Sequence, residues 1–132
     1  MSIRLATAFV PVLDPEASLA FYRDLLGLEL RQDVQAGPHR WLTLAAPGQD
    51  AELVLFPPHG GRSEADGEAL AALVAKGALQ AAIFRTDDLE GTVARLRAAG
   101  VEVLEEPADR PWEVRDGAVR DPSGNVVRLA QA

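Results

Sequence analysis

Two stretches of the chain are built on one plan. Residues 12–30 read VLDPEASLAFYRDLLGLEL and residues 86–103 read TDDLEGTVARLRAAGVEV. Each opens on an Asp, runs through apolar residues at helical spacing, closes on a Gly and passes at once into a short apolar segment. In the first, Asp14 reads as the N-cap, Pro15 takes the first helical position, where a missing N–H costs nothing, and Glu16 lies near the positive end of the helix dipole. Leu19, Tyr22 and Leu26 supply the apolar recurrence, with Phe21 and Leu25 beside them, and Gly27 supplies the left-handed stop. In the second, Asp88 is the cap, Leu89, Val93 and Leu96 form the buried stripe, and Gly100 is the stop. The first stretch predicts a helix of about three turns, and the second repeats the device.

Strand-like segments flank both helices. LATAFVPV and QAAIFRT precede them; LELRQD, RWLTLAAP and AELVLF follow the first, and VEVLEE, RDGAVRDP and NVVRLA follow the second. The predicted order is strand, helix, strand, strand, strand, twice over. Asp14 and Asp88 are 74 positions apart and Pro47 and Pro122 are 75 apart, a near-constant period that marks duplication of a unit too small to bury its own face. The expected organisation is one domain over 1–132, with a first unit at about 3–57, a linker at 58–78 and a second unit at 79–132. The linker begins as a Pro/Gly-rich loop and continues as a short helix from about Glu64 to Lys76, ended by Gly77. Its Leu70, Leu73 and Val74 suit the covering of a sheet edge or of a partner subunit.

Composition excludes several classes of function. A chain of 132 residues, 48% hydrophobic and 25% charged, is an ordinary globular composition able to bury a core. No apolar run approaches a bilayer span and no export signal opens the chain, so a cytoplasmic protein without membrane association is expected. The absence of Cys removes disulfides, thiolate nucleophiles and sulfur-ligated metals together. A net charge of −7 with no Lys/Arg-rich stripe repels a phosphate backbone, so no nucleic-acid partner is expected.

The duplicated βαβββ plan, with FYRDLLG in its first helix, DDLEGTVARLRAAGVEV in its second and DPSGNVVRL near its end, resembles the vicinal oxygen chelate superfamily, the glyoxalase, bleomycin resistance and extradiol dioxygenase group. VPVLD and PWEVRDGAVRDPSGN look most like the bleomycin-resistance branch, and RWLTLAAPGQDAELVLFPP like bacterial glyoxalase-like proteins of unassigned substrate. The resemblance implies an α+β fold of tandem βαβββ modules curled into a concave mixed sheet with helices outside. It also implies a homodimer whose groove often completes itself across the subunit interface.

In metal-using relatives each module gives two ligands, one from its first strand and one from its last. Counting back from the capping Asp places these at Thr7 and Ala81, and the last strands place them at Glu52 and Arg128. Only Glu52 is a metal donor, whereas a divalent site needs three or four, and a guanidinium only donates hydrogen bonds. The resemblance therefore implies no metal and no cofactor, with Glu52 and Arg128 paired where relatives hold their ion. His39 and His59 lie in loop segments outside those strands and read as structural or exposed.

Strand alternation from these positions turns Thr7, Phe9, Pro11, Glu52, Val54 and Phe56 toward the groove from the first module. It turns Ala81, Ile83, Arg85, Val126, Arg128 and Ala130 inward from the second, with Ala8, Val10, Val12, Leu53, Leu55, Phe84, Val127 and Leu129 facing the helices as core. Trp112 matches the place where a tryptophan borders the drug groove in bleomycin-resistance relatives, although Glu113 stands where the family usually has Gly. A core plug or dimer contact is its equal alternative. Trp41 reads as core or rim, core being preferred, and DPSGN as a tight turn without catalytic duty. The candidate ligand-binding set is thus Thr7, Phe9, Glu52, Val54, Phe56, Ile83, Arg85, Trp112 and Arg128.

The implied function is a metal-free dimer binding a small organic molecule, an antibiotic or an aromatic or cationic metabolite, in its groove. The alternatives are a metal-dependent lyase, isomerase or dioxygenase of the same superfamily, metal-free acid/base chemistry by Glu52, and an interaction module with no ligand.

Overall fold

The computed structural model describes residues 2–132. Its strands form two four-stranded sheets of identical topology. The first contains β1 (Thr7–Pro11), β2 (Glu29–Ala36), β3 (His39–Ala45) and β4 (Glu52–Phe56) in the order β1-β4-β3-β2. The second contains β5 (Gln80–Thr86), β6 (Val103–Asp109), β7 (Arg115–Arg120) and β8 (Val126–Gln131) in the order β5-β8-β7-β6. β1 pairs with β4, and β5 with β8, in parallel, and the remaining neighbours are antiparallel. A helix follows β1 and β5 because a strand cannot return parallel to its neighbour through a tight hairpin. The α+β fold and its repeated βαβββ plan are as the sequence predicts.

Local signals fix the helices. Asp14 Oδ1 accepts from Ala17 N at 3.2 Å, capping α1 (Pro15–Leu19), and Asp88 Oδ1 accepts from Gly91 N at 3.0 Å, capping α3 (Leu89–Ala98). Gly27 and Gly100 follow the two helices at φ 83° and 89°, left-handed values that glycine adopts without strain. α1 does not stay α-helical. From Ala20 to Leu25 it widens into a π-helical turn, in which Leu26 N donates to Phe21 O five residues back. The widened turn buries the adjacent rings of Phe21 and Tyr22 together, packed edge to face with centroids 4.8 Å apart. The linker helix α2 (Glu64–Ala75) is capped by Ser63 and carries a fully buried Val74.

Both units feed one core. Val10, Leu19, Tyr22, Leu42 and Leu55 of the first unit join Leu89, Val93, Leu96, Val119 and Val127 of the second in one buried cluster. The turn after β7 bolts the units together. Ser123 Oγ accepts from Leu13 N at 2.8 Å, Asn125 Nδ2 donates to Pro11 O at 2.8 Å, and Tyr22 Oη donates to Asp121 Oδ2 at 2.6 Å. Gly124 is required there: at φ 119° it lies so close to α2 that a Cβ would stand 2.3 Å from Val74 O.

Two expectations of facing need correction. Ala8 is exposed rather than core, because it lies in a crevice with Ala82 and Phe84 of β5. Ala81 packs against the core rather than into the groove. A register shift between Gln80 and Ala82 breaks the alternation, so that Ile83 stands opposite Arg128 as Thr7 stands opposite Glu52. Ile83, not Ala81, is the structural counterpart of Thr7.

Candidate functional site

Register assembles the first-sheet residues. Thr7, Phe9 and Pro11 pair with Glu52, Val54 and Phe56, and ladder partners project to the same face. Leu42 pairs with Leu55, which brings the neighbouring Trp41 beside Phe56 on that face. The Trp41 and Phe56 rings stack at 6.1 Å with planes 22° apart, and Phe9 meets Phe56 edge to face at 6.2 Å. Trp41 is half-buried and lines a cleft with Phe9 and Phe56 rather than joining the core.

The loop after β4 closes one end of this aromatic corner. Gly60 lies flush against the indole, where a Cβ would come within 2.7 Å of Trp41 Cζ2. Gly61, at φ 72°, turns the chain so that the Arg62 guanidinium lies over Phe56, 4.9 Å from the ring centroid. Phe9, Trp41, Phe56, Gly60, Gly61 and Arg62 line a cleft of about 460 Å³. Its walls are aromatic surface and backbone with one cation, a chemistry suited to stacking on a flat ring. Sequence reasoning missed Gly60 and Arg62; the signal was the PPHGGR run, a turn-forming segment directly after the strand that carries Phe56.

The other predicted residues fall in different places. Ile83, Arg85 and Trp112 line a second cleft of about 570 Å³ on the second sheet, together with Glu113 and Asp116. Trp112 is 66% exposed, so it is neither a core plug nor covered within the chain. Glu113 adopts φ 64° without being glycine, a strained conformation at the position where the resemblance expects Gly. Glu52 and Ile83 share a small crevice of about 170 Å³ with Leu5, Ala8 and Phe84, which joins the two sheets. Thr7 and Val54 are half-buried between these features.

Glu52 and Arg128 do not pair. Glu52 has Arg31 as its partner at 3.6 Å. Arg128 instead donates to Glu105 and, at 3.3 Å, to Asp116 Oδ1, and Arg110 binds the same two carboxylates at 3.1 Å and 2.7 Å. The buried Asp116 thus sits between two guanidinium groups. Its hydrogen bond raises the Arg110 pKa above the ordinary arginine value. β7 explains the change of partner: Ala118 faces Arg128 with a methyl group, leaving the guanidinium room to reach across to Glu105 on β6.

The four positions at which the resemblance expects metal ligands, with Ile83 taking the place counted to Ala81, hold one carboxylate (Glu52) among a hydroxyl (Thr7), a hydrocarbon (Ile83) and a cation (Arg128). That set does not fit a divalent ion. Among the described residues, one group of three potential donors lies elsewhere: His59 Nε2 stands 3.9 Å from both Glu64 and Glu68 at the start of α2. In the cleft between α1 and the Pro122–Gly124 turn, about 580 Å³, the Glu102 carboxylate lies 3.8 Å from Arg120. The Asp121 carboxylate there is consumed by three backbone N–H groups, Tyr22 and Asn125.

Residues 4–129 match the model of the Glyoxalase/Bleomycin resistance protein/Dioxygenase superfamily. The chain belongs to that superfamily. The chain superposes on the crystal structure of UcmS2 with TM-score 0.88 at 34% identity, covering all of both chains. It is 33% identical to TnmS3, an antibiotic binding protein from Streptomyces sp. CB03234, with TM-score 0.77 and coverage of 99% of this chain and 98% of that one. The uncharacterized protein YurT of Bacillus subtilis (strain 168) is 29% identical over 98% of this chain and 99% of its own length. Superfamily membership agrees with the repeated strand order and with the paired capping signals. Among the described residues, no helix is long and apolar enough to cross a membrane.

Proposed function

We propose that this protein is a metal-free binding protein that sequesters a flat aromatic small molecule, of the antibiotic type, in the groove of a homodimer. The observation that carries the reading is the cleft of Phe9, Trp41 and Phe56, in which Trp41 and the exposed Phe9 both pack on the buried Phe56 ring. Burying aromatic surface is worth about 25 cal/mol per Å², so one stacked ring system gives useful affinity without any reaction. The description of TnmS3 as an antibiotic binding protein supports the same direction. The residues at the family's ligand positions disfavour a metal-dependent lyase, isomerase or dioxygenase, since three of the four offer no metal donor of the family's kind.

Dimerisation is supported by what the single chain leaves uncovered. Phe9, Ile83 and Trp112 are 61%, 69% and 66% exposed although all three belong to the candidate groove. A second copy that set one protomer's first sheet against its partner's second sheet would cover them and join the Trp41 cleft to the Trp112 cleft.

The reading is tested by calorimetric titration with a panel of aromatic antibiotics in chelator-treated buffer, alongside light scattering to give the mass in solution. Saturable binding by a dimer, lost in Trp41→Ala, is expected. Turnover of any panel member that depends on stoichiometric metal, or binding indifferent to Trp41, overturns it.

A further inference from the structure

We infer that the aromatic cleft of the first sheet selects aromatic acids, stacking the ring against Trp41 and Phe9, which pack on the buried Phe56, and pairing the ligand's carboxylate or phenolate with Arg62. This rests on the binding function proposed above and names its ligand class.

Arg62 differs from most arginines of the chain. Arg23, Arg31, Arg40, Arg97, Arg110, Arg115, Arg120 and Arg128 each lie within 4.0 Å of at least one carboxylate. Arg62 has no such partner among the described residues, and its side-chain hydrogen bond is one long contact, 3.3 Å, from Nη1 to Gly60 O. Most of its five N–H donors are therefore free. Arg4, Arg85, Arg95 and Lys76 also lack a carboxylate within 4.0 Å among the described residues, so what sets Arg62 apart is its place over the Phe56 ring in a cleft walled by Phe9 and Trp41. The cleft lining contains no carboxylate to compete for it.

The loop places the charge. Pro57 and Pro58 limit the backbone, Gly60 is fixed against Trp41, and Gly61 makes the turn that lays the guanidinium over Phe56. A planar fork beside a planar ring presents free N–H groups at the rim, where an acidic substituent of a stacked ligand would lie. The net charge of −7 opposes an anion only at long range. Screening removes most of that repulsion beyond about 8 Å at physiological salt, whereas direct pairing acts at about 3 Å. A cationic ring, one of the ligands that the resemblance allows, would meet a like charge here and is disfavoured.

Calorimetric titrations with 2-naphthoate, methyl 2-naphthoate and 2-naphthylmethylammonium test this on the intact chain. The acid is expected to bind roughly five- to tenfold more tightly than the ester, and the ammonium more weakly than either. Arg62→Gln should abolish the acid's advantage over the ester when both are measured on the same variant, and Arg62→Lys should retain part of the advantage. Equal affinity for acid and ester, or a preference that survives Arg62→Gln, overturns the inference while the aromatic-binding function stands. If neither acid nor ester binds, both fall.

Discussion

Tyr22 Oη donates a 2.6 Å hydrogen bond to Asp121 Oδ2, joining the helix of the first βαβββ unit to the last turn of the second. Both groups are buried, so the bond is made where water cannot replace it. Asp121 keeps four other hydrogen bonds without the tyrosine, from Ser123, Gly124 and twice from Asn125. Tyr22→Phe should therefore leave the turn intact and loosen the joint between units. The expected loss is about 1–3 kcal/mol of unfolding free energy, read as a lower urea midpoint at unchanged slope.

The same pair should make stability fall at alkaline pH. Burial first, and then the Asp121 charge and hydrogen bond, hold the Tyr22 pKa well above its ordinary value of 10.0. A raised pKa means the folded state keeps its proton longer than the unfolded state does. The contribution is complete below about pH 10, where the unfolded phenol titrates, and is lost as pH rises toward the folded value. The chain has one tyrosine, so absorbance at 295 nm reports this group alone. Ionisation should coincide with unfolding, and Tyr22→Phe should flatten the decline of the thermal midpoint above pH 10. Ionisation in a still-folded protein would contradict the buried geometry.

Gly60 controls the width of the aromatic cleft. A methyl group there would stand 2.7 Å from Trp41 Cζ2, so Gly60→Ala must displace the indole. Stacking geometry is worth about 1 kcal/mol, and the expected effect is a loss of roughly fivefold in 2-naphthoate affinity with little change in stability. Calorimetry together with a urea melt separates the two effects.

Metal removal should change nothing at the groove. Chelator treatment is expected to leave the thermal midpoint and 2-naphthoate affinity unchanged, because Thr7, Glu52, Ile83 and Arg128 do not compose a ligand set. Any stabilisation by added zinc should come from His59, Glu64 and Glu68, whose donor atoms lie within 4.8 Å of one another. It should disappear in His59→Ala and persist in Glu52→Gln, as read by thermal melts.

What the sequence determined by itself was whatever depends on neighbours along the chain. Asp14 and Asp88 cap, Gly27 and Gly100 stop, and the alternating segments between them become strands in the expected order, because caps, turns and pleats are decided within a few residues. The duplication was legible for the same reason, and with it the sheet face carrying Phe9 and Phe56. Tertiary structure alone decided which charges meet and which rings form the cleft. The shift between Gln80 and Ala82 moved Ile83 into the place that counting gave to Ala81, and a strand cannot announce a slip that its partner imposes. Arg128 chose Glu105 and Asp116 over Glu52, and Arg31 took Glu52, since long side chains pair with whatever carboxylate the sheets bring within reach. Trp41 entered the cleft through stacking on Phe56, and the DPSGN turn became the bolt between units through Tyr22, Pro11 and Leu13. Those partners lie too far off along the chain for local pattern to encode them, and only the packing of one unit on the other selects them.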